Sequence, residues 1–330
     1  MKVPHIIGAD LSKKNIDFAS YLFKTHLRVE NNPSGFLDLI RWIKQQKINL
    51  SKVMIVMENT GLYGYQLEQF LYEKHLVFAK VSALAIKRSM GLVRGKSDKQ
   101  DAYRIAEYGF EKFDRLVPAK PTDKLLQRLQ MLHSTRRRLV KNRAALTNAV
   151  KEYQHGYGLK KTDMVIAAQL KVIKALDQQI LKLDKEMEAV MDQEKPLNQN
   201  YQLLQTITGV GKVLAAATII KTGNFKNFTN ARKFACFCGT APFENTSGTS
   251  IRGKTQVSNL RDREMKTLLD LSAKSSIQYD KELKEYYIRR TASGKSKMST
   301  INVVRNKILY RIFAVIKRQT PFVENYLQVA

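Results

Sequence analysis

The chain has 330 residues, 44% of them hydrophobic, enough for two or three domains with cores of their own and too apolar for a disordered protein. Lysine and arginine number 57 against 29 aspartate and glutamate, a formal net charge of +28 that repels itself unless a polyanion neutralises it. The longest apolar run, Val213 to Ile220, falls far short of the roughly 20 residues of a membrane helix. The N-terminus shows no apolar leader, and the two cysteines, Cys236 and Cys238, are too few for a disulfide framework or a four-ligand zinc site. A cytoplasmic nucleic-acid protein with no membrane partner is the class that remains.

In chain order, His5 to Leu11 reads as an apolar strand with Asn15 to Ser20 as its hairpin partner, and Thr25 to Glu30 as a third strand. Pro33 opens a helix with Phe36, Leu37, Leu39, Ile40 and Ile43 at helical spacing and Trp42 in its core. Val53 to Met57 is continuously apolar, the mark of a strand covered on both faces. A helix over Tyr65 to Tyr72, a strand over Leu76 to Val81 and a helix over Asp98 to Tyr108 follow. Three strands and then αβαβα give residues 1–118 the order of a ribonuclease-H-like α/β domain.

Residues 119–195 change character. Leu125, Leu129, Leu132, Leu139, Leu146 and Val150 keep a 4,3 spacing if Arg136 and Arg143 fill the remaining seam positions. Beyond Gly156-Tyr157-Gly158, a second seam runs through Ile166, Gln169, Ile173, Leu176, Ile180, Leu183, Met187 and Val190. The spacing predicts an antiparallel coiled-coil hairpin, or helices that pair between subunits. Residues 119–161 hold 11 Lys or Arg against 2 Asp or Glu, whereas 162–195 hold 5 against 7. Arg136, Arg137, Arg138, Lys141 and Arg143 crowd into two turns, which points to a phosphate partner for the first arm.

Residues 196–330 form a mainly helical third region. Thr208-Gly209-Val210-Gly211-Lys212 has the form of a helix-hairpin-helix turn, whose backbone amides and Lys212 suit a phosphate; an ordinary turn between packed helices reads as well. From Ser247 to Arg318 there are 17 Lys or Arg against 6 Asp or Glu, with Tyr279, Tyr286, Tyr287 and Tyr310 among them for base stacking. Cys236 and Cys238 read as core.

Four acids stand out. Asp10 lies toward the end of the first strand beside Gly8, and Glu58 ends the strand Val53 to Met57. In a ribonuclease-H-like sheet those two strands are neighbours. Asp98 and Asp101 share one face of a helix, although Asp98 alone also suits a helix N-terminus. Four carboxylates converging without bases between them repel one another unless divalent cations neutralise them, which is the composition of a metal-dependent phosphoryl-transfer site. Lys96 and Lys99 are placed to meet a substrate phosphate.

The segments Ile6 to Lys13, Met57 to Tyr63 and Lys96 to Ala102 resemble those of the DEDD-type insertion-sequence transposases of the one-hundred-and-ten family, relatives of the Piv invertase. So do Thr208 to Gly211, Gly239-Thr240-Ala241-Pro242, Ser247 to Ser250 and Arg252-Gly253-Lys254, in the family's order over nearly the whole chain. The resemblance implies a RuvC-like domain over residues 1–118 in which Asp10, Glu58, Asp98 and Asp101 bind magnesium. It implies a coiled coil over 119–195 that mediates assembly, and a C-terminal transposase domain over 196–330 carrying a serine nucleophile that links covalently to DNA. It also implies donor and target DNA as partners, a noncoding bridge RNA that chooses them by pairing, and a dimer or tetramer whose composite site forms between protomers.

Ser247, directly before Gly248, fits the family's Ser-Gly pair, with Ser250 as the alternative. No histidine lies nearby in sequence to activate the hydroxyl, so activation falls to the metal site or to Arg252 and Lys254. Two rival readings use the same residues differently. One is a magnesium-dependent junction nuclease that attacks with water; the other is a non-catalytic nucleic-acid-binding protein on a decayed nuclease fold.

Overall fold

The computed structural model describes residues 4–323 except 60, 92–94, 96, 122 and 248–250; the side chains of residues 247, 251, 252 and 254 also fall outside the description. The chain divides into two compact units, residues 1–123 and 124–330.

The first unit is built on a five-stranded sheet. Strands β1 (His5–Leu11), β2 (Asn15–Ser20) and β3 (His26–Glu30) form an antiparallel meander, and β4 (Val53–Glu58) and β5 (Val77–Val81) add parallel to β1, in the order β3-β2-β1-β4-β5. The helices are α1 (Pro33–Gln45), α2 (Tyr65–Glu73), α3 (Ala83–Ser89) and α4 (Asp98–Glu111). Asn32 starts α1 by accepting the Gly35 amide, with Pro33 supplying a φ already suited to the first turn. Alternation along β1 sends Ile7, Ala9 and Leu11 to a core with Ile16, Phe18, Ile55, Phe36, Leu39, Leu67 and Leu71. Ile6 goes to a second core with Met54, Val56, Ala79 and Ile105 of α4. Two such faces explain why β4 reads as a continuous apolar run. Trp42 packs half-buried against the first core, whereas Leu37, at 45% exposure, lies off the buried face of α1.

The second unit opens with two long helices, α5 (Lys124–Tyr157) and α6 (Met164–Asp192), packed on each other. Ion pairs from Arg128 to Glu186, Arg136 to Asp184 and Arg143 to Asp177 run forward on one helix and backward on the other, so the pair is antiparallel. Every seam position named for either helix is buried or half-buried. Leu126, Leu129, Leu132, Met187, Val190 and Met191 join the main core of the unit, whereas Leu139, Leu146, Ile173 and Leu176 stay half-buried along the free length of the hairpin.

That core gathers α7 (Lys195–Gln205), α8 (Lys212–Thr222), α9 (Ala231–Cys238), α10 (Arg263–Tyr279), α11 (Lys281–Ala292) and α12 (Lys297–Arg318). Helix α8 buries Leu214 to Ile219 and Thr222, and its Thr218 and Thr222 hydroxyls donate to carbonyls one turn back, which pairs the polar groups it takes inside. Gly209 turns the chain between α7 and α8 at φ +89, and a Cβ there would strike the Ser276 hydroxyl of α10. The second unit is not helical throughout. An antiparallel hairpin, β6 (Pro242–Ser247) and β7 (Ile251–Val257), lies between α9 and α10, in a region the sequence marks as mainly helical.

Candidate functional site

The acids of the first unit are brought together by register and by one close crossing. Ala9 pairs with Met57 in the parallel β1–β4 ladder, so the next residues, Asp10 and Glu58, stand side by side at the strand ends. On the other flank Asp10 pairs directly with Asp17 of β2, and Asp17 with Arg28 of β3. Directly paired residues share a face, so Arg28, Asp17, Asp10 and Glu58 form one transverse row.

Helix α4 covers that face. Gly8 sits two residues before Asp10 on the same side, and a Cβ there would collide with the Ala102 carbonyl oxygen and the Ala106 amide. Gly109 of the same helix lies close over the Val56 and Ile6 side chains, so α4 crosses the sheet tightly at both glycines. Ser97 caps α4 by accepting the Gln100 amide at 3.3 Å, which sets Asp98 and Asp101 one turn apart in the first turn.

The electrostatics record the convergence. Burial above all, and then the neighbouring charges of Asp101, Asp98, Glu58 and Asp17, together push the Asp10 carboxyl up to about 6. Asp101 accepts from Arg104 at 2.7 Å, and Asp98, 56% exposed, faces Arg28 at 3.5 Å. Asp17, 4% exposed, accepts from or shares a proton with His26 at 2.7 Å. The donor set is entirely carboxylate oxygen, which suits a hard divalent cation such as magnesium. Among the described residues, no three His, Cys, Asp or Glu side chains are drawn to ion-holding distance of one another. Asp98 and Asp101 are turned to Arg28 and Arg104 instead.

The basic residues divide into paired and free. Arg136 and Arg143 are bound to Asp184 and Asp177 inside the hairpin. Arg137 reaches Glu264, which a His133 hydrogen bond above all holds down to about 2. Lys212 meets Glu188 at 2.6 Å. Arg138 and Lys141 are exposed and make no ion pair among the described residues. In the basic C-terminal region Tyr279 and Tyr310 are exposed, while Tyr286 lies half-buried beneath Lys307.

Ser247 is the last residue of β6, paired with Ile251 across the hairpin. Ser250 and Lys96 lie outside the described residues, as do the side chains of Arg252 and Lys254 on β7. The root of β6 is held firmly. Lys266 donates to the Gly239 carbonyl at 2.5 Å and to the Asn302 side chain at 2.7 Å, and Asn302 donates to the Thr240 carbonyl at 2.8 Å. Arg305, 4% exposed and paired with Asp270, completes this network. Burial raises the Cys238 thiol far above its ordinary range, in keeping with a core residue.

Sequence reasoning missed Asp17, His26 and Arg28. A signal was present: if Leu11 and Ile16 flank the first turn, antiparallel pairing counts Asp10 opposite Asp17.

An acid row under a capped helix, together with a strongly basic second unit, defines a nucleic-acid-processing protein, and comparison with known families narrows this to a transposase. A DEDD-type transposase family model matches residues 7–157, and a second, described as Transposase IS116/IS110/IS902 family, matches residues 201–288. The chain belongs to the IS110 family of transposases. It is 29% identical to the pilin gene-inverting protein of Moraxella bovis over 96% of this chain and 97% of that protein. It is 25% identical to the transposase for insertion sequence element IS1111A of Coxiella burnetii, over 69% and 68% respectively. Among the described residues no helix is long and apolar enough to cross a membrane.

Proposed function

We propose that the protein is the recombinase of an insertion sequence, cutting and exchanging DNA strands with a divalent cation, magnesium, held by Asp10, Glu58, Asp98 and Asp101, and with Ser247 as nucleophile. The observation that carries this reading is the convergence of Glu58, Asp98 and Asp101 on Asp10 through the β1–β4 register and the α4 crossing, with the Asp10 carboxyl raised to about 6 by burial and then by neighbouring charge. The strand order β3-β2-β1-β4-β5, with β1, β4 and β5 parallel, supports a RuvC-like domain over residues 1–118. Relatives named as a gene-inverting protein and as a transposase support DNA as the substrate.

A bound magnesium at such a cluster supplies polarisation of the scissile phosphate. The chain's own residues do the rest. Asp10 and Glu58 are fixed by the sheet ladder, and Asp98 and Asp101 by the Ser97 cap and the Gly8 crossing. Arg28 and Arg104 balance the outer acids until they are needed. Ser247 Oγ attacks the scissile phosphorus as the P–O bond to one strand end breaks, and that end leaves as a hydroxyl carrying the proton the serine gives up. A DNA hydroxyl later attacks the phosphoserine ester, breaking the P–Oγ bond and returning a proton to Ser247. Arg138 and Lys141, exposed and free of ion pairs, are the residues of the basic arm placed to hold phosphates. Arg252 and Lys254 join them, while Arg136, Arg137, Arg143 and Lys212 must leave their carboxylates to do so. The bridge RNA is a further ligand for this charge, and the half-buried seam of the α5–α6 hairpin supports pairing of subunits. The region from 196 to 330 carries the serine, on a chain that works at the nucleoid.

A denaturing gel tests the reading, with labelled donor and target DNA, magnesium and RNA transcribed from the element's flank. The expected result is a protein–DNA band that Ser247→Ala abolishes without loss of binding. Cut DNA with no linked protein moves attack to water and favours the junction nuclease. Asp101→Asn that changes no DNA transaction revives the non-catalytic reading.

A further inference from the structure

The two arginines of the acid row are held in different ways. Arg104, 17% exposed, donates to Asp101 at 2.7 Å and to the Gly95 carbonyl at 3.1 Å, so its fork is spent on the fold. Arg28 is 53% exposed, and its carboxylate contacts are long: Nε to Asp17 at 3.9 Å and Nη2 to Asp98 at 3.5 Å. Its nearest acceptor is the Asn15 amide oxygen, at 3.2 Å from Nη2 in the orientation that satisfies both ends of that amide. A guanidinium carries five N–H donors in a planar fork, and most of those on Arg28 face solvent unspent.

What orients Arg28 is buried. Asp17 lies directly across the ladder from it, is almost fully enclosed, and gives one oxygen to His26, leaving the other toward Nε of Arg28. A buried carboxylate needs its partners, so Asp17 fixes the inner side of the guanidinium while the outer side stays open. Strand β3 is the sheet edge, and among the described residues no further strand pairs with it on that side.

We propose that Arg28 is a contact for a backbone phosphate of the DNA strand being cut, with Asp17 as its positioning residue and Asp98 as the stand-in anion while no DNA is bound. The proposal rests on the reading of the four acids as a cation site. With Asp98 engaged as a cation ligand, Arg28 has no carboxylate on its outer side, and a phosphodiester offers two oxygens that match the fork. Placed at the end of the carboxylate row, it draws DNA to a surface that five acids otherwise repel.

The test is binding, read apart from cleavage. The full chain is titrated by fluorescence anisotropy, in calcium, against donor duplexes carrying one neutral methylphosphonate linkage at a time. Arg28→Gln is expected to weaken binding of the unmodified duplex about tenfold, as for one charge-assisted contact. One neutral linkage should cost the wild type the same factor and cost Arg28→Gln nothing more. Asp17→Asn should blunt the same linkage's effect and add nothing in the Arg28→Gln background. If Arg28→Gln does not fold, Arg28→Lys, which keeps the charge and loses the fork, carries the same comparison. Losses that simply add at every linkage, or a loss seen only with labelled RNA, overturn the proposal. Cleavage that survives Asp10→Asn sinks the cation site instead, and that result is read on a separate assay.

Discussion

The acid row and the serine hairpin differ in how the fold supports them. Asp10 and Glu58 end strands in the middle of a five-stranded sheet, and α4 crosses it tightly, backbone against backbone at Gly8 and over the Val56 and Ile6 side chains at Gly109. Ser247 ends a two-stranded hairpin whose residues 242 to 246 are all exposed, and which the fold grips at its root through Lys266 and Asn302. Two strands alone are marginal in water. Metal chemistry needs carboxylates fixed in place, whereas a nucleophile that joins and leaves DNA needs reach. On the proposed function, preorganisation is concentrated in the first unit, and the second would supply a group to be placed by the nucleic acid it binds.

The largest effect expected from breaking this contrast is on chemistry. Asp10→Asn or Asp101→Asn should lower strand cleavage roughly 100- to 1,000-fold, the scale of losing one electrostatic contact to a transition state, with DNA binding retained in a gel-shift assay. Gly8→Val attacks the support instead of the acids. It should destabilise the first unit by about 1–3 kcal/mol in urea unfolding through overpacking against α4, and cleavage should fall because Asp98 and Asp101 move with the helix. Asn302→Ala removes a donor at the root of β6, at a cost of about 1–3 kcal/mol to the second unit. The covalent adduct should diminish while metal-dependent properties of the first unit stay unchanged. A result in which Gly8→Val spares cleavage would break the comparison on its rigid side.

The smallest effect is a pH dependence. The folded-state value of Asp10 is raised to about 6 from an ordinary 3.8. Between those values the native protein holds a proton that the unfolded chain has lost, so this group's stabilisation is full at low pH and fades as pH rises through about 6. Asp10→Asn, which cannot ionise, should therefore unfold at a higher temperature than the wild type at pH 8 without divalent cations, and the gap should shrink at pH 5 and close only below the ordinary 3.8. A stabilised variant that is catalytically dead is the signature of strain kept for function.

Much of this was legible in the sequence. Strands β1 and β2 and the start of α1 coincide with their predicted bounds because alternation, turn residues and Pro33 leave little choice of register or start. The two heptad seams predict which residues of α5 and α6 turn inward, since side-chain period alone decides that. The β6–β7 hairpin escaped notice because Pro242 to Ser247 is polar on both faces and shows no buried alternation. Helix α3, with Ile86 its one buried residue, has too short an apolar stripe to register. Asp10, Glu58, Asp98 and Asp101 were readable as acids at strand ends and on one helix face. Asp17 and Arg28 join them only through ladder pairing, which spacing along the chain does not display. Leu37 shows the reverse error: helical spacing admitted it to the core, and the face that α1 presents to the sheet did not.

The central claim is that the acid row holds a cation, and thermal unfolding with and without magnesium at pH 8 tests it most directly. Magnesium should raise the unfolding temperature of the wild type by binding the folded state, and it should leave Asp10→Asn where it was. Equal shifts in both proteins, or none in either with DNA present, would contradict the account.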